Sequence, residues 1–230
     1  MDVTDAIDTL ISHRIDGKAA DMAKYHKVDR TYLGVANPAL DDAARDWRRT
    51  LPLDERLELA SDLWVSDIHE ARVCAAKLLT QARIKPDDNA AWTLIQSWVP
   101  DFDSWAIADH VCMAGQRRLT ADPSRLDVVE SWTQSDHMWT KRAAMVITLP
   151  WTKIRNPKSD DLEAQERILG WAAEYVPDHT WFIQKSISWW LRELSRKNPG
   201  RVAQFIAIHG DQMRASARKD AVRLMLKSAV

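Results

Sequence analysis

LDERLELASDLW, residues 53–64, sets Leu53, Leu57, Ala60, Leu63 and Trp64 at intervals of three and four, with charged residues and a serine filling much of the space between. That spacing gathers the apolar side chains on one face of a 3.6-residue helix and leaves the other face to water. HEARVCAAKLLTQA (69–82), MWTKRAAMVITL (138–149) and IQKSISWWLREL (183–194) repeat the pattern. The β-branched runs are short and lie inside helical periods, so no strand is expected. Punctuation is sparse, with 6 Gly and 9 Pro. Pro38, Pro52, Pro86, Pro100, Pro123, Pro157, Pro177 and Pro199 fall at plausible helix starts or connections. The reading is all-α, with roughly twelve helices of about 10–15 residues.

Helices joined by short turns are expected to stack as antiparallel pairs. Segments 59–82, 95–118, 128–149 and 168–194 each carry an aromatic, a patch of small residues and a basic tail. A spacing of about 35–40 residues suits HEAT-like units. Ala71, Ala75, Ala76, Ala143 and Ala144 would let paired helices approach closely. The expected architecture is an α-solenoid of about six HEAT-like antiparallel helix pairs, forming a single domain over residues 1–230. A compact helical bundle is the alternative. KIRNPKSDD (153–161) is the best candidate for a flexible connection.

The chain is 46% apolar with 12 Trp, ample for a core, and its net charge of -1 announces no nucleic-acid binder. The distribution says more. Residues 1–70 hold 9 Lys/Arg against 15 Asp/Glu, residues 71–180 hold 13 against 15, and residues 181–230 hold 10 against 3. The last fifth is basic enough to contact phosphates, although solvated helix faces that merely differ in charge give the same numbers. Cys74 and Cys112, each inside an apolar helical pattern, argue for a reducing compartment and against a disulfide framework. Asp109-His110 followed by Cys112 lacks a second pair at ligand spacing, so a buried thiol and an ordinary histidine are favoured over a metal. MDVTDAIDTL does not read as a signal peptide, and no segment approaches the ~20 apolar residues needed to span a bilayer. Cytoplasm is the default location.

Most of the tryptophans are expected in the core, and Trp64, Trp92, Trp98, Trp132 and Trp171 fit that role. Trp105, Trp139, Trp189 and Trp190 stand beside polar or charged residues that a core would not need. Trp189 and Trp190 are about 100° apart around a helix, so one is expected in the core and the other at a surface. In DFDSWAIAD (101–109), Trp105 and Asp109 are four apart and share a helical face. An electron-rich ring beside a carboxylate is a good receiver for a cation. A carboxylate among apolar residues is costly unless paired or used. A structural ion pair with Arg142 or Arg117 is therefore the plain alternative to catalysis.

These segments carry a resemblance. MAKYHKVDRTYLGVANP (22–38), LWVSDIHEARVCAAKLL (63–79), DSWAIAD (103–109), SDHMWTKRAAMVITLPWTK (135–153) and FIQKSISWWLRELSRKNP (182–199) are similar to the AlkD-type DNA alkylation repair family, the HEAT-like-repeat DNA glycosylases. The resemblance implies a concave basic groove for duplex DNA. It implies an active site of a Trp and an Asp four apart, an Arg and a second Trp, matched here by Trp105, Asp109, Arg142 and Trp189. Tyr25 matches an N-terminal tyrosine near the DNA, and Lys24, Lys27, Lys185 and Arg192 fall in segments that would face its backbone. Ala106, where the family often has an acidic residue, and Asp41 and Asp42 after the LGV-x-x-P signature, depart from the pattern.

The implied activity is monofunctional hydrolysis of the N-glycosidic bond of cationic N3- or N7-alkylated purines, by a monomer without metal or cofactor. The bound partner would be alkylated duplex DNA, with the protein at the nucleoid when bound. A non-catalytic HEAT-like binder of DNA structure or damage, and a protein-binding scaffold, are the rival functions.

Overall fold

A computed structural model describes residues 1–225. The described chain is all-α: thirteen α-helices, four short 3₁₀ segments and no strand, only two isolated β-bridges. It divides into two compact units, Met1–Asp122 and Pro123–Val230. The division falls at Asp122/Pro123, not within 153–161, which joins two elements of the second unit.

The first unit contains α1 (Val3–Ile11), α2 (Lys18–His26), α3 (Asn37–Thr50), α4 (Leu53–Val65), α5 (His69–Leu78), α6 (Asn89–Trp98) and α7 (Trp105–Ala121). Helix α5 is its centre, packing on α1, α3, α4 and α7. Eight of its ten residues are buried, because Ala71, Ala75 and Ala76 keep it narrow while Val73, Cys74 and Leu78 fill the space around it. Leu59 and Leu63 of α4 are likewise withdrawn from water, worth about 1.5–3 kcal/mol each. Trp64 stacks on Trp98 at 4.6 Å between ring centroids. Helix α2 is the exception, for none of its nine residues is buried.

The LGV stretch explains itself in this unit. Gly34 sits at φ +84°, and a Cβ there would lie 2.9 Å from the backbone nitrogen of Ala19. Only glycine takes that conformation and that approach without strain. The wholly buried Glu70 accepts hydrogen bonds from the backbone N–H groups of Leu33, Gly34 and Val35, at 2.9, 2.7 and 3.1 Å. A buried carboxylate thus finds its partners in the backbone.

The second unit contains α8 (Leu126–Thr133), α9 (Met138–Ile147), α10 (Ser159–Tyr175), α11 (Trp181–Ser195), α12 (Pro199–His209) and α13 (Ala215–Ala221). Helix α11 is central, touching α9, α10, α12 and α13. Ala143 and Ala144 of α9 are fully buried. Asn198 caps α12 by accepting from the Arg201 N–H at 3.0 Å, and Pro199 opens that helix.

Candidate functional site

Trp105 is the first residue of α7, and Asp109 stands one turn on, so the sequence spacing becomes a shared face. Ser104 precedes the helix in extended backbone. Just before it, Asp103 receives the Arg30 guanidinium at 2.5 Å, and Arg30 also reaches Asp67 at 2.9 Å. The Arg30 side chain is 3% exposed, so this double ion pair fixes the start of α7 against the turn that precedes α5. Trp105 and Asp109 line a cavity of about 140 Å³ together with His26, His69, His110 and Met113.

The rings around Trp105 form one cluster. Tyr25 meets the indole edge-on, with centroids 5.9 Å apart and planes at 84°. His26 lies 5.7 Å from the indole, 4.4 Å from the His69 ring and 5.9 Å from Tyr32, to which it is parallel within 2°. These histidines are neutral at pH 7. Burial pushes His69 down to about 3 and His110 to about 4, and it lowers His26 as well, opposed there by the Glu70 carboxylate. The pocket therefore offers one carboxylate and a set of uncharged rings, a surface suited to a cationic guest.

Of the residues singled out in the sequence, Tyr25, Trp105 and Asp109 come together in the first unit. Lys24 and Lys27 are exposed beside Tyr25, and Lys27 ends α2 at φ 57°. Arg142, Trp189, Lys185 and Arg192 belong to the second unit. Arg142 is 3% exposed on α9, its guanidinium carbon 5.8 Å from the centroid of the Trp139 ring. Trp190 is fully buried and Trp189 is half-buried, which resolves the adjacent pair. Lys185 and Arg192 line a cavity of about 240 Å³ with Trp181 and Asp220. Lys185 is exposed, whereas Arg192 is held by the Asp220 carboxylate. Trp64, Trp92, Trp98, Trp132 and Trp171 are core residues as expected. Cys74 and Cys112 are buried thiols, and burial raises Cys74 to about 12.

Sequence reasoning missed Glu70, Arg30, His26 and His69, while His110 was read only as an ordinary histidine. Glu70 carried the signal used for Asp109, a carboxylate inside an apolar helical run. His26 stood next to Tyr25 in AKYHK. Nothing local marked Arg30, whose partners lie 37 and 73 residues away.

Comparison places the architecture in a class, the helical proteins of DNA alkylation repair. A family model described as DNA alkylation repair enzyme matches residues 6–225, and the chain belongs to that family. A solved structure described as a predicted DNA alkylation repair enzyme from Enterococcus faecalis shares the fold with a TM-score of 0.76 at 17% identity, covering 91% of this chain and 95% of that one. AlkD2 from Streptococcus mutans aligns with a TM-score of 0.59 at 17% identity, covering 90% and 94%. No curated protein sequence matches the chain.

Proposed function

We propose that this protein is a monofunctional DNA glycosylase that hydrolyses the N-glycosidic bond of cationic N3- or N7-alkylated purines in duplex DNA. The observation that carries the reading is Trp105 and Asp109, one turn apart on α7 and lining one cavity, with Tyr25 edge-on to the indole.

Alkylation at N3 or N7 leaves the base positively charged and ready to depart, so little general-acid help is needed. As the bond breaks, positive charge develops on the deoxyribose. Asp109 stabilises that charge and orients the attacking water, while the Trp105 face favours the same cation. A carboxylate about 4 Å from the developing charge contributes on the order of 4 kcal/mol at an effective dielectric of about 20. That is about a thousandfold in rate. The three uncharged histidines add no repulsion to a cationic guest.

Arg142 and Trp189 keep the roles that the resemblance implies, a phosphate contact and a ring against the sugar-phosphate backbone. Tyr25, Lys24, Lys27, Lys185 and Arg192 are assigned to the DNA backbone; for Arg192 this requires competition with Asp220. The protein acts as a monomer with no cofactor. No lysine is assigned as a Schiff-base nucleophile, so the product is an intact strand with an abasic site.

The test is incubation of a duplex carrying N7-methylguanine with the protein, followed by chromatography of the supernatant. Free 7-methylguanine is expected, with strand breaks only after alkali. Absence of released base overturns the enzyme reading, and strand cleavage without alkali overturns the monofunctional one.

A further inference from the structure

Helix α2 has no buried residue, yet it brings Tyr25 and His26 to the catalytic indole. What holds its end in place is a ring. His26 stacks on His69, which is 5% exposed in the central helix α5, and lies parallel to Tyr32 in the loop that follows. On another side it leans on Trp105 at 43°, and Tyr25 meets its edge at 5.1 Å. Four aromatic neighbours around one imidazole leave it few alternatives, and Trp105 gains a wall tied to the core of the unit. Trp105 needs such a wall. As the first residue of α7 it has no preceding helical turn to pack on, and it is only half-buried.

We propose that His26 is the positioning residue for Trp105, a ring that locks the indole in the orientation used at the cationic sugar. This rests on the glycosylase reading for its consequence in catalysis, but not for its structural claim. The nature of the contact is also legible. His26 Nδ1 is buried and finds no hydrogen-bond partner among the described residues. The role is therefore one of shape and stacking, and a ring without nitrogen should fill it. Phenylalanine is the conservative replacement, and alanine removes the wall.

The test uses the full chain labelled with 5-fluorotryptophan, the Trp105 resonance being assigned by its loss in Trp105→Phe. In His26→Ala that resonance is expected to shift and broaden. The kcat for release of 7-methylguanine should fall on the order of tenfold to a hundredfold, with KM changed less than about threefold, because the indole acts mainly on the cationic transition state. In His26→Phe both the resonance and kcat should return close to wild type. A Trp105 resonance unchanged in His26→Ala overturns the proposal, as does a folded His26→Phe that restores neither signal. If the wild type releases no base, the glycosylase reading fails alone, and the fluorine spectra still decide whether His26 holds Trp105. If the wild type releases base and His26→Ala does so at the same kcat, the positioning role fails alone.

Discussion

Acidification from pH 7.5 to 5 should destabilise the first unit through the imidazoles around Trp105. His69 and His110 titrate near 3 and 4 when folded, because burial opposes their charged forms, against about 6.5 in an unfolded chain. Their contribution is fully present above pH 6.5. Below it the unfolded chain takes up protons that the native protein refuses, and each group costs about 1.4 kcal/mol per pH unit. At pH 5 that is about 2 kcal/mol for each, about 4 together, a large fraction of the roughly 5–15 kcal/mol that holds a domain folded. The loss levels off near pH 4 for His110 and near 3 for His69. Hydrogen bonds from Arg167 and Arg201 hold Glu130 and Glu166 below the usual carboxylate range, so neither carboxyl produces a loss between pH 6.5 and 5. Urea unfolding at pH 7.5, 6.5, 5.5 and 5 measures the effect. With a urea dependence of about 2 kcal/mol per molar, the midpoint should drop by roughly 2 M between pH 6.5 and 5. His69→Gln should remove about half of that slope. A midpoint independent of pH over this range, or an equal slope in His69→Gln, refutes the reasoning.

Glu70→Ala strands three backbone N–H groups and should cost about 4 kcal/mol, counting roughly 1–3 kcal/mol for each unsatisfied donor; thermal unfolding reports it. Gly34→Ala combines φ +84° with a Cβ 2.9 Å from a backbone nitrogen, for a loss of about 1–3 kcal/mol or more, read as a lowered Tm. If Lys185 contacts a phosphate, Lys185→Ala should weaken binding to methylated and unmethylated duplex alike. It should also reduce the slope of log affinity against log salt by about 1, measured by fluorescence anisotropy.

The helices were legible because amphipathic periods are local. Leu53 to Trp64 announced α4, and the alanines of HEARVCAAKLL announced a helix that its neighbours could approach closely, though not that α5 would be central. The Trp105–Asp109 pair was legible for the same reason, since four residues along a helix is a local distance. The adjacent Trp189 and Trp190 were legible only as a dichotomy, because the sequence does not say which side of α11 meets its neighbours. What escaped was non-local or borrowed from the backbone. Arg30 meets Asp67 and Asp103 through loop geometry, and Glu70 spends its charge on N–H groups that no side-chain pattern encodes. His26 gains its meaning from four rings supplied by α2, α5, α7 and a loop. Arg192 was read only as lying in a segment that would face the DNA backbone, and its engagement by Asp220 depends on how α13 returns to α11. Pro123 marked a connection at the Asp122/Pro123 division, but no more strongly than the seven other prolines read the same way, so the sequence did not single it out.

The central claim is that Asp109 stabilises a cationic sugar as a cationic base leaves. Single-turnover release of 7-methylguanine from a methylated duplex, compared between wild type and Asp109→Asn at matched DNA binding, tests it most directly. The account predicts a loss on the order of a hundredfold to a thousandfold in rate with binding retained. Equal rates for the two proteins would contradict it.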